Sequence, residues 1–332
     1  MTGTHLVDFE WHSPGDEDKQ WIADQFGTRD QLRARAVDRE NFIRTIDALT
    51  RHPTLIPSGR PDRVGDSLRY AREAVNALGP NAEVWSTVTL TRPGLSDPQV
   101  MMQMNQLHKN VAGVYLVIYD NAGFPAAWSD EELREYLKVA GTQALAGRAT
   151  AMAHADVRGL LAVALGATQL GTGVFKSMKQ YGIPPSTGGA QPGQAPPPTA
   201  SYLSLPLLAT MHGDNAQAIL GANVNEIESH DASLPNCILQ GLPPAGSAWA
   251  AWLNPAGNAN VDRGLLGVRA LAAAESQLRA SPSPGDLMES WLDNAARIAQ
   301  ATPAEAFQTN GLRAEVLARP RVFREARGFL GV

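Results

Sequence analysis

The sequence has a single cysteine, Cys237, among its 332 residues. An internal disulfide is therefore excluded, and this cysteine content is typical of a reducing compartment. Residues 1–19 have no basic region followed by an apolar stretch, so they do not resemble a signal peptide. No run of about 18 apolar residues occurs, so no segment is expected to span a membrane. These absences predict a soluble, cytoplasmic protein without a membrane partner.

Neither positive nor negative charge dominates the sequence. Charged residues make up 18% of the chain and the net charge is −5, while 44% of the residues are apolar. This balance is typical of a globular protein long enough to build a sizeable core. It argues against broad, non-specific attraction to nucleic acid, although a local basic groove would remain compatible with it.

Short β-rich runs alternate with helical patterns over the first half of the chain. No Gly-x-Gly-x-x-Gly motif follows the first strand, and the connections are long enough for parallel pairing. The alternation therefore predicts a TIM-like (β/α) barrel, complete or incomplete, because about six strands are fewer than the eight of a closed barrel. The predicted strands are His5–Trp11, Thr54–Pro57, Glu83–Leu90, Gly113–Asp120, Arg148–His154 and Ala167–Gly173.

Capping residues and composition divide the chain further. Ser96 is a predicted N-cap for a helix over 97–109, and Ser129 opens a capping box before a helix that ends near Ala146. A Pro/Gly-rich loop at 184–200 separates barrel units at 1–183 from a region at 201–332. That last region is expected to complete the barrel and to continue as helices, the clearest of them at 261–280 and 284–301.

Polar residues mark one face or the carboxyl end of several predicted strands. In a barrel, such side chains point into the lumen or to the carboxyl-terminal mouth, where enzymes of this fold place their chemistry. Two histidines with carboxylates at one mouth are able to bind a metal ion or divide acid and base roles. Solvated loop starts would explain the same residues. The candidate catalytic residues are Asp8, Glu10, His12, Asp120, His154 and Asp156.

The stretch GLLAVALGATQLGTG at 159–173 predicts a small-residue helix followed by a short strand that ends in glycines. A glycine-rich turn before a helix can donate backbone N–H groups to a phosphate. Gly171, Gly173 and Lys176 are therefore candidate phosphate-binding residues. Tight packing between helix and strand, which also requires small residues, is the alternative interpretation and the one that we favour.

Three features, in order, resemble the tRNA-guanine transglycosylase superfamily of barrels. They are GVYLVIYD followed by a capped helix, GLLAVALGATQLGTG, and a Pro/Gly loop followed by SYLSLPLLATM and SLPNCILQG. The resemblance covers roughly two thirds of the chain, as a pattern and an order of segments. It implies a barrel and, for an active member, nucleobase exchange through an aspartate nucleophile, with a zinc ion held near the closing helix.

The functional residues that the resemblance implies are missing. Gly171 lies at the position of the nucleophilic aspartate, and glycine has no side chain with which to attack. The zinc-loop cysteines fall on Pro235, Cys237 and Gln240, and the last histidine of the chain is His230. A structural zinc ion needs four side-chain ligands, so no metal is expected here.

Three functions remain open. The first is a catalytically degenerate barrel that binds or scaffolds a protein partner or a second copy of itself, in an assembly that acts on nucleic acid. The second is an active lyase or hydrolase that uses the Asp8/Glu10/His12/His154/Asp156 cluster on a small polar or phosphorylated substrate. The third retains nucleobase exchange, with Asp120 or Asp156 as a relocated nucleophile. The sequence identifies no cofactor.

Overall fold

A computed structural model of the chain describes residues 72, 75–76, 84–106, 111–119, 127–171, 201–212, 259–307 and 311–332. These residues form an α/β fold with a parallel sheet and a helical C-terminus, which confirms that part of the fold prediction. The first part is β1 (Val84–Thr91), a 3₁₀ turn (Pro93–Ser96), α1 (Pro98–Asn105), β2 (Val111–Tyr119), α2 (Asp130–Leu145), β3 (Ala149–Ala153), α3 (Val157–Ala164) and β4 (Gln169–Leu170). The second part is β5 (Ser201–Ser204), β6 (Ala209–His212), α4 (Ala259–Ala280), α5 (Pro284–Ala301), a 3₁₀ turn (Ala304–Ala306) and α6 (Leu312–Leu330).

The sheet has the order β1-β2-β3-β4, and all its neighbouring strands are parallel. Alternation along each strand separates two faces. One face, here the helix face, contributes aliphatic side chains such as Val88, Leu116 and Met152 to the main hydrophobic core. The other, here the second face, carries Trp85, Thr89, Thr91, Gly113, Tyr115, Val117, Tyr119, Ala149, Ala151, Ala153 and Gln169.

Local capping determines where the crossover helices begin. The Ser129 hydroxyl accepts a hydrogen bond from the Glu132 N–H, and the Glu132 carboxylate accepts one from the Ser129 N–H, so the predicted capping box opens α2. The predicted N-cap of α1 was wrong by one residue. Ser96 ends the preceding 3₁₀ turn, whereas the Asp97 carboxylate accepts from the N–H groups of Gln99 and Val100. A carboxylate one residue later meets these free N–H groups better, and Pro98 suits the first helical position.

The stretch at 159–171 packs a helix tightly against a strand. A Cβ atom on Gly159 would lie 2.0 Å from Leu170 Cδ1 and 2.9 Å from Ala155 Cβ, so a side chain here would displace the end of Leu170. Gly166 has φ +105° and turns the chain out of the helix. The strand that follows is shorter than predicted, Gln169–Leu170 instead of Ala167–Gly173, because Ala167 and Thr168 form the turn into it.

The three C-terminal helices form a layer outside α2 and α3. α6 packs on both α5 and α2, and α4 and α5 reach α3. Buried apolar side chains, including Trp291 and Phe323, fill these interfaces. Ion pairs such as Arg324 with Glu289 and Arg321 with Asp130 lie along the exposed margin. None of the described helices combines the length and the apolar composition that crossing a bilayer requires.

β5 and β6 form an antiparallel hairpin at the start of the region at 201–332. Its turn contains Leu208 with φ +47°, a backbone conformation that is uncommon for a residue with a side chain. The predicted strands at 5–11 and 54–57, the Pro/Gly-rich loop at 184–200 and the segment around Cys237 lie outside the described residues.

Candidate functional site at the carboxyl edge of the sheet

Three of the predicted site residues are described, and all three lie at the carboxyl edge of the parallel strands. His154 and Asp156 follow β3, as predicted, and Gly171 follows β4. This edge also receives the N-termini of α2 and α3, because each crossover helix runs back antiparallel to its strand. The predicted residues outside the described part of the chain are Asp8, Glu10, His12, Asp120, Gly173 and Lys176.

His154 adopts the left-handed backbone conformation, with φ +50°, and its side chain is half-buried. This conformation costs free energy for any residue with a Cβ atom. It turns the chain at the end of β3, and the next N–H, that of Ala155, donates to the Gly171 carbonyl oxygen at 2.9 Å. The backbone at this edge is thus held in a tight bend at His154.

Asp156 stabilises the start of α3. Its residue surface is only 4% exposed, and its carboxylate accepts a hydrogen bond from the Arg158 N–H at 3.3 Å. The side chain is therefore the N-cap of α3. It also lies near Tyr136, where burial first and the Asp156 carboxylate second raise the pKa of the phenol well above its ordinary value.

The most highly connected charged group at this edge is Glu315, from the first turn of α6. Arg158 donates to it through Nε and Nη2 at 3.1 and 3.0 Å, in a bidentate pair. Arg319, one helical turn further on, donates to Oε1 at 2.6 Å. The backbone N–H of Trp128, at the start of α2, donates to Oε2 at 3.0 Å. One carboxylate thus connects α2, α3 and α6.

Electrostatics keep this carboxylate ionised. Burial by itself would raise the pKa of Glu315, but the guanidinium groups of Arg158 and Arg319 outweigh it and lower the pKa to about 2. The position just before α2 adds the favourable interaction of an anion with a helix N-terminus. Glu315 therefore has no proton to exchange near neutral pH and is suited to holding cations rather than to acid-base chemistry.

The same cluster extends to the hairpin and to two aromatic rings. Arg319 donates through Nη1 to the Leu208 carbonyl oxygen, in the turn between β5 and β6. The Arg158 guanidinium lies over the Trp128 ring at 4.7 Å from its centroid. The Trp128 ring in turn meets Tyr136 edge-to-face at 5.3 Å. We call Asp156, Arg158, Glu315 and Arg319 the Glu315 cluster.

Both backbone polar groups of Gly171 form hydrogen bonds at the end of the sheet. Its N–H donates to the Met152 carbonyl oxygen at 2.8 Å, and its carbonyl oxygen accepts from Ala155. The amide of Gly171 is thus engaged in strand pairing, as the packing interpretation expects. Phosphate binding at this turn stays a prediction that depends on Gly173 and Lys176.

Sequence reasoning identified Asp156 but missed the other members of the Glu315 cluster. Arg158 lies two residues after Asp156, directly before the stretch at 159–173 that predicts a helix. Glu315 and Arg319 are four residues apart in RAEVLAR, and in a helix this spacing places them on one face. The spacing alone could therefore have predicted an ion pair between them. Nothing local indicated that this pair would meet Arg158, which is 157 residues away in sequence.

Metal binding has no visible basis in the part of the chain that the structure describes: no group of three or more His, Cys, Asp or Glu side chains there is placed to hold an ion. Searches for similar proteins found no family model, no curated protein and no solved structure that matches this chain.

Proposed function

We propose that this chain is a (β/α)-barrel protein that binds a protein partner rather than transforming a substrate. The sheet order supports a barrel. Four parallel strands lie in sequential order and the described crossover helices lie on one face, an arrangement typical of a barrel wall, whereas in a doubly wound sheet the strand order reverses and helices cover both faces. Buried residues of α1, α2 and α3 belong to the same core as the helix face, and none of the described second-face residues belongs to it. Thr89, Val117 and Ala153 on the second face are buried as well, as lumen residues are.

The observation that carries the binding function is the pairing of charges at the carboxyl edge. Enzymes of the barrel fold use this edge for acids, bases and nucleophiles. Here the Glu315 carboxylate is saturated by donors from Arg158, Arg319 and Trp128, and the Asp156 carboxylate caps α3. Because these carboxylates are occupied in holding helices in place, the carboxyl edge is suited to serve as a rigid binding surface.

The resemblance to tRNA-guanine transglycosylases supports the same proposal. The position of the nucleophile is Gly171, which follows β4 at this edge and carries no carboxylate. A barrel that has lost its nucleophile while keeping its frame is suited to binding, beside an active enzyme or as a self-assembly, in a complex that acts on nucleic acid.

Two measurements test this proposal. The first is incorporation of labelled guanine into tRNA by the purified chain, which we expect to equal the protein-free blank. The second is native mass spectrometry of the tagged chain purified from its own cells. We expect a stoichiometric protein or a multiple of 35.5 kDa. A homogeneous 35.5 kDa monomer, or guanine incorporation above the blank, would contradict the proposal.

One observation favours the lyase or hydrolase as a second candidate. His154 keeps an imidazole in a backbone conformation that glycine or asparagine adopts more easily, and such strain is concentrated at functional sites. If function retains the histidine, His154→Asn should abolish turnover of a phosphorylated sugar while thermal unfolding shows that the variant still folds. Equal turnover by His154→Asn and the wild type, or none by either, would eliminate this candidate.

A further inference from the structure

We draw no further inference here: the strongest candidate, the surface patch of exposed apolar residues Leu145, Phe329 and Val332 where α2 and α6 end side by side, carries none because nothing in the part of the chain that the structure describes shows what covers it.

Discussion

Replacing Glu315 by glutamine should destabilise the fold strongly, because two guanidinium groups would keep their places without a counter-charge. Arg319 is 2% exposed and the Arg158 side chain is 13% exposed, so water does little to compensate. The pKa of Glu315 falls from its ordinary value of 4.5 to about 2. Each pKa unit corresponds to about 1.4 kcal/mol, so the ionised carboxylate contributes about 3 kcal/mol to the free energy of unfolding at neutral pH. Removing one partner of a buried pair costs a similar amount in other proteins, about 3–5 kcal/mol.

The pH dependence gives this prediction a second readout. Since the folded pKa lies below the unfolded one, the contribution is fully present above the unfolded pKa and disappears as the pH falls toward the folded pKa. The difference between the wild type and Glu315→Gln should therefore be constant near neutral pH and shrink between pH 4.5 and about 2. Equilibrium urea unfolding, followed by tryptophan fluorescence over this range, measures it.

The matched control is Glu325→Gln. Glu325 pairs with Arg321 and Arg134 at the surface, where its side chain is 38% exposed. An exposed pair contributes at most about 1 kcal/mol, so this variant should remain close to the wild type. The reasoning fails if Glu315→Gln lies within about 0.5 kcal/mol of the wild type at neutral pH, or if its deficit does not change on acidification.

Three further changes test other parts of the structure. Asp156→Ala should cost about 0.5–2 kcal/mol in urea unfolding through loss of the α3 N-cap, and Asp156→Asn, which still caps, should recover most of it; equal losses would refute the capping role. Tyr136→Phe should remove part of the loss of stability above pH 10, because burial keeps the pKa of this phenol raised and its ionisation opposes folding; an unchanged alkaline unfolding curve would contradict this. Gly328→Ala should raise stability by about 0.5–1 kcal/mol, because the helical site is exposed and no atom lies within 4 Å of the added Cβ; a lower melting temperature would show that the site is constrained.

The local pattern of the sequence determined much of the described secondary structure. The alternation of β-rich and helical runs gave β1 to β3 and α1 to α3 nearly in their observed bounds, because periodicity and capping act over a few residues. Ser129 illustrates this, since its capping box needs only Glu132, three residues away. The error at Ser96 has the same origin, because two adjacent residues both suit an N-cap and only backbone geometry distinguishes them.

The role of Asp156 depended on the tertiary structure. From the sequence it was a candidate for acid-base chemistry at a strand end, and position alone allowed both that and capping. The backbone after β3 bends at His154, where φ is +50°, and the Asp156 carboxylate accepts a hydrogen bond from the Arg158 N–H in the first turn of α3. The hydrogen bond from the Ala155 N–H to the carbonyl oxygen of Gly171, just after β4, holds this bend, and no local pattern encodes it.

The sequence by itself determined that the chain alternates strands and helices, that Gly171 offers no nucleophile, and that Glu315 and Arg319 share a helical face. Only the tertiary structure decided that α6 lies along α2 and brings Glu315 to Arg158, across 157 positions of the chain. The physical reason is one of range. Hydrophobic periodicity and helix caps depend on neighbours within about one or two helical turns. The pairing of buried charges depends on where whole helices pack, and that is set by the shared core of α2, α5 and α6.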